Sequence, residues 1–219
     1  MAKAAAVRIP RARTKPDRAG IVYQFLIALA ETDPLVWRRL QVPAAYTFWD
    51  LHVAIQDAMG WQDYHLHEFQ VVHPGRKRLD RIGIPGDEFL DERPCKAGWT
   101  VPMSAYFDRG EQPALYLYDF GDGWRHLVMH EGISSVDPKG TYPRCIGGAR
   151  ACPPEDCGGV HGYVDYVKAL ANKRHPEHKA MLEWRGPFDP ATFDPGAVVF
   201  DDPAKRWQIA FGSRPSERE

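Results

Sequence analysis

IVYQFLIALAETDPLVWRRLQVPAAYTFWDLHVAIQDAMGW, residues 21–61, decides the fold. Residues 21–30 are dense in strand formers and alternate imperfectly between apolar and polar, which predicts a β-strand. Residues 36–42 predict a second strand, with Asp33-Pro34 supplying the turn between them. The period then changes. Thr47 is placed to cap a helix, Asp50 three residues on is its capping-box partner, and Leu51, Ile55 and Met59 share one helical face. Gly60 stands where helices commonly stop. Residues 66–72 return to a strand pattern, so the unit reads strand, strand, helix, strand.

Outward from that unit, residues 73–112 are loop-rich, with room for short edge strands. Residues 114–120 and 124–131 predict a hairpin, because Gly121-Asp122-Gly123 supplies the positive φ angles of a tight turn. Further on, Tyr163, Val167 and Leu170 fall on one helical face. A short helix opening at Pro176 is expected to bury Met181, Leu182 or Trp184 before Gly186, and Asp202-Pro203 opens a last helical turn carrying Trp207 and Phe211. The fold class this predicts is α+β: a single domain over residues 21–212 with a mostly antiparallel sheet, a central hairpin and C-terminal helices. Residues 1–20 read as a disordered basic arm and 213–219 as a flexible tail.

The net charge of -1 conceals an asymmetry. Lys3, Arg8, Arg11, Arg13, Lys15 and Arg18 stand against Asp17 alone, so the arm carries about +5 and the body about -6. A basic arm on an acidic body offers contacts to nucleic acid or another anionic partner. Residues 21–30, the best apolar run, are about half the length that spans a bilayer and are interrupted by Gln24. No secretory signal pattern precedes them. The expectation is a cytoplasmic protein without a membrane segment, in a reducing compartment where clustered cysteines serve as metal ligands or free thiols.

Such a cluster is present. Residues 145–163, CIGGARACPPEDCGGVHGY, hold three of the four cysteines among glycines and prolines that disfavour both helix and strand. Cys145, Cys152 and Cys157 are spaced C-x6-C-x4-C, with His161 four residues beyond. Zinc takes four Cys or His ligands in a tetrahedron, so Cys145, Cys152, Cys157 and His161 form a candidate structural zinc site, with Cys95 the rival fourth ligand. The competing reading is a loop of free thiols held by packing. No neighbouring base marks any of them as a catalytic thiol.

Three further constellations bear chemistry. His65 and His67 in HLHE share one face if a strand begins there, and with His126 and His130 they could form a histidine cluster or sit hydrogen-bonded at a sheet edge. Asp119 and Asp122 flank the turn in YDFGDGW, where such residues commonly bond the turn backbone. Glu155-Asp156 precede a helix, whose N-terminal dipole and amides favour carboxylates.

WRRLQVP (37–43), DLHVAIQDAMGW (50–61), HLHEF (65–69), YLYDFGDGWRH (116–126), YPRCIGGARACPPEDCGGVHGY (142–163) and WRGPFDPATFD (184–194) occur in this order. The combination resembles the plasmid pRiA-type ORF-three-like family, also labelled insertion-element passenger TnpR-like. The resemblance spans nearly all of the chain after residue 20. It implies a compact α+β fold found in bacteria and archaea, often on plasmids or near mobile elements, and assigns no reaction. The TnpR label suggests a resolvase, yet serine occurs only at 104, 134, 135, 213 and 216, the body is acidic, and no helix-turn-helix pattern follows. The favoured expectation is a binding or interaction module for a protein partner, stapled by zinc. The alternatives are a metal-dependent hydrolase or nuclease using His65, His67 and His126 with Asp122 or Glu155, and a DNA-binding accessory protein using the arm.

Overall fold

The computed structural model describes residue 18 and residues 20–76, 78–86, 94–108 and 113–212. The arm, apart from Arg18 and Gly20, and the 213–219 tail lie outside the described residues. The first two predicted strands form β1 (Ile21–Leu29) and β2 (Val36–Pro43), paired antiparallel with Phe25 opposite Leu40 and Ile27 opposite Arg38. Helix α1 (Phe48–Met59) follows. Its Thr47–Asp50 capping box is formed in both directions, and Gly60 ends it at φ 85°, a conformation open to glycine without a Cβ clash.

Seven more elements complete the strands and the small central helix: β3 (His67–Val72), β4 (Leu79–Gly83), β5 (Cys95–Ala97), α2 (Ser104–Phe107), β6 (Pro113–Tyr118), β7 (Trp124–Ser135) and β8 (Arg144–Ala149). The sheet order is β5-β4-β3-β6-β7-β1-β2-β8, antiparallel except for the parallel β4–β5 edge. The predicted α+β class and mostly antiparallel sheet therefore stand, and the loop-rich middle contributes the two short strands of one edge. Helices α3 (Gly159–Ala171), α4 (His178–Arg185) and α5 (Pro203–Phe211) follow the sheet. Among the described residues no helix is long and apolar enough to cross a membrane.

Alternation in the central strands divides the sheet into two faces. Phe25, Ile27, Leu40, Phe69, Tyr116 and Val128 point into the core against Phe48, Leu51 and Ile55 of α1. Burial of each such side chain stabilises the fold by roughly 1.5–3 kcal/mol. The opposite face carries paired ions instead, including Arg39 with Glu131 at 2.8 Å. Arg38 is a charged side chain on the inner face. It is buried, donates from Nε to the Ala58 carbonyl at the end of α1 (2.8 Å), and lies over the Phe193 ring. Burial pushes its pKa down.

Two local expectations are corrected. The start of the cysteine-rich segment is a strand, not a loop, because β8 pairs with β2 at the sheet edge. Its glycines serve close packing: a Cβ on Gly148 would lie 2.3 Å from Phe193 and 2.8 Å from the Trp37 carbonyl oxygen. The helix predicted from Pro176 begins at His178 and buries none of its residues fully, since it packs on α3 through one side only. Asp202 does cap α5 as read, and Trp207 is buried.

Candidate functional site

The loops at one end of the sheet bring together residues that are far apart in sequence. β3 and β6 are antiparallel neighbours, with His67 opposite Tyr118, so residues 64–66 lie beside residues 118–120. The Asp119 amide donates to the Leu66 carbonyl at 3.0 Å, and the Tyr64 amide donates to the Tyr118 hydroxyl at 3.1 Å. His65 Nε2 is then 3.0 Å from Asp156 Oδ1 and 3.6 Å from Asp119 Oδ2. Both aspartates hold positive φ, 53° and 61°, a region that Asp enters more readily than most residues.

The surrounding carboxylates fix these loops. Glu155 is buried and accepts from the Tyr118 hydroxyl (2.5 Å) and the Gln62 amide (2.9 Å). Burial, reinforced by that bond to Glu155, pushes the Tyr118 phenol well up. Asp119 Oδ1 accepts from the Gly121 amide at 3.0 Å, and Asp122 Oδ2 accepts from the Gly158 amide at 3.1 Å where α3 begins. Their place in the sequence assigns Glu155 and Asp156 to the α3 N-terminus. Asp122 takes an amide there, while Glu155 turns to Tyr118 and Asp156 to His65.

The three-histidine site of the hydrolase reading is not assembled, and that reading is corrected. β3 begins at His67, so His65 stays in the loop, while His67 and His126 point inward from β3 and β7. Burial drives the His126 pKa down to about 3, with the Tyr116 backbone offsetting part of the effect.

Cys145 lies on β8, Cys152 in the following loop, Cys157 two residues before α3, and His161 on the exposed side of that helix. Cys95 is on β5, the strand at the opposite edge of the sheet from β8. Cys145 Sγ is 3.3 Å from the Gly147 carbonyl oxygen. Burial raises the pKa of each of these three thiols, Cys145, Cys152 and Cys157, that of Cys157 to about 12. Among the described residues, two groups of three His, Cys, Asp or Glu have ligand atoms all within 4.8 Å of one another: His65/Asp119/Asp156 and His52/Asp63/His67. Neither includes a cysteine. Sequence reasoning passed over His52 and Asp63; the available signal was a histidine and Gln56, four residues apart, on the helix beside the apolar face of Leu51 and Ile55.

A family model described as plasmid pRiA4b ORF-3-like protein matches residues 21–197. A relative from Sinorhizobium fredii (strain NBRC 101917 / NGR234), described as uncharacterized protein y4hQ, is 36% identical over 194 residues, covering 85% of this chain and 94% of the relative. A crystal structure of a protein of unknown function, MM3350 from Methanosarcina mazei Go1, is similar with a TM-score of 0.76 at 44% identity. That match covers 83% of this chain and 98% of the archaeal one.

Proposed function

Within the plasmid pRiA4b ORF-3-like family, to which this chain belongs, we propose a protein-binding module that grips a basic segment of its partner at the loop end of the sheet. The observation that carries this reading is the flanking of His65, Asp119 and Asp156 by exposed apolar side chains. Tyr64 is 69% exposed, Phe120 56% and Leu66 54%. Large aromatic rings beside carboxylates are the chemistry that receives an arginine or lysine: the ring faces attract the cation, and the carboxylate accepts its N–H bonds. Asp156 is open to solvent and meets His65 Nε2 at 3.0 Å, while the Arg185 guanidinium is engaged by the neighbouring Glu155 carbonyl at 3.0 Å, so an arriving guanidinium competes with the imidazole for the carboxylate.

The test uses the full chain and an eight-residue arginine–glycine peptide, with a glutamate–glycine peptide as control, followed by fluorescence anisotropy at low salt. The arginine peptide is expected to bind and the control not to. The Phe120→Ala and Asp156→Asn variants should each weaken binding by about 10-fold, the scale of one lost charge-assisted bond or aromatic contact. Equal binding of both peptides, or variants that bind as the parent does, would overturn the reading.

A further inference from the structure

Beneath the recognition loops lies a second cluster, and it is buried. His52 on α1 and His67 on β3 stack with ring centroids 3.5 Å apart and planes within 8°. His52 Nε2 is 2.9 Å from Asp63 Oδ1, and its Nδ1 is 2.7 Å from the Tyr116 hydroxyl. His67 is 2% exposed, and neither of its ring nitrogens has a hydrogen-bond partner. A buried imidazole with no partner calls for an explanation; His126 shares that state, and what distinguishes His67 is that donor atoms of His52 and Asp63 lie beside it.

The charge around it is unbalanced as well. Asp57, Asp63 and Asp201 gather about the single guanidinium of Arg206, at 3.3, 3.6 and 2.6 Å. A cation would offset that excess. From the unpartnered His67, the convergence of one donor atom each from His52, Asp63 and His67 within 4.8 Å, and the surplus carboxylates, we propose that these three residues hold a divalent transition ion of the zinc class.

The donor set makes the choice. Two imidazoles and a carboxylate suit zinc and its neighbours, whereas calcium and magnesium require oxygen ligands. The ion would lie between His52 Nε2 and Asp63 Oδ1, in place of their 2.9 Å contact. With Nε2 on the ion, His52 would carry its one ring proton on Nδ1 and donate it to the Tyr116 hydroxyl oxygen, the usual outer-shell support of a metal-bound histidine. An ion lies in the plane of each imidazole it binds, and two parallel planes 3.5 Å apart share no such point. Loading therefore turns His67 out of the stack. Helix α5 closes this side, with Arg206 on Asp63 and Phe211 against Trp49, so the ion serves to staple α1 to β3.

The experiment is metal content by mass spectrometry on tag-free full chain, with His67→Asn and Cys145→Ser prepared in parallel. About one ion per chain is expected in the parent and in Cys145→Ser, with at least a fivefold loss in His67→Asn. Loss in the cysteine variant with retention in the histidine variant would overturn the assignment. Should His67→Asn fail to fold, cobalt titration of the metal-stripped parent decides. Visible d–d bands without a thiolate-to-cobalt charge-transfer band support nitrogen and oxygen donors. A thiolate band, or no spectral change, overturns them.

Discussion

Replacing His126 with phenylalanine should remove an acid-sensitive element from the core without emptying it. His126 is fully buried, neither ring nitrogen makes a hydrogen bond of good geometry, and its neighbours are the rings of Trp61 and Tyr116. Its folded pKa is about 3, against roughly 6.5 in an unfolded chain. Between those values the unfolded state binds a proton that the folded state refuses, so stability falls as the pH drops below 6.5. Each pH unit in that window costs about 1.4 kcal/mol, so about 2 kcal/mol is lost between pH 6.5 and pH 5 through this residue alone. Phenylalanine has no proton to refuse. At pH 7 the variant should lie within about 1 kcal/mol of the parent, the scale of a shape-conserving core exchange. Urea unfolding at pH 7 and pH 5, followed by tryptophan fluorescence, measures both quantities. Other buried histidines contribute to the parent's acid loss but cancel in the comparison, so the variant should gain about 2 kcal/mol on the parent at pH 5. A constant offset between the two proteins across that range would refute the argument.

Glu155→Ala leaves the Tyr118 hydroxyl and the Gln62 amide without their acceptor; the expected cost is about 3 kcal/mol, read as a melting temperature lower by about 6–12 °C, and a drop under 2 °C would show that the carboxylate does not hold these loops. Glu131→Gln tests the open face of the sheet, where the hydrogen bonds from Arg39 hold the Glu131 pKa below its usual value. A depressed carboxylate contributes stability above its unfolded pKa of about 4.3 and loses it as the pH falls through the folded value. The variant should therefore be less stable at pH 7 by about 0.5–1 kcal/mol and converge on the parent in acid, whereas a deficit that persists at low pH would assign the effect to packing.

Much of the framework was legible because it is specified by neighbours in sequence. Thr47, Asp50 and Gly60 define α1 within fourteen residues, and all three act in the structure as the pattern predicts. The glycines around Asp122 likewise mark the β6–β7 turn. β8 is hidden because its glycines carry no strand propensity; what requires Gly148 is the Trp37 carbonyl and Phe193, the latter some forty-five residues away. The recognition site was legible only in pieces. His65, Asp119 and Asp156 each belong to a separate local motif; the β3–β6 pairing sets His65 beside Asp119, and the hydrogen bonds of Glu155 and Asp122 bring Asp156 to them. His52 and Asp63 were less visible still, since no spacing rule connects a helix interior to the loop that follows it.

That loop joins the two proposed sites. Trp61 Nε1 donates to the Pro153 carbonyl at 2.8 Å, and the Gln62 amide donates to Glu155, so the first two residues hold the cysteine-rich segment. Asp63, at φ 61°, turns the chain the other way and reaches His52 and Arg206. Tyr64 returns to Tyr118, and His65 to the two aspartates. Successive residues thus address opposite sides, which a continuous strand could also do, but a strand would fix the alternate side chains about 7 Å apart along one line. The reversal at Asp63 lets its carboxylate bend beneath α5 while Tyr64 remains exposed above. Asp63 and His65 are thus two residues apart on the same short backbone. By linkage, whatever effect filling the proposed buried site has on the proposed peptide site, the reverse effect is equal.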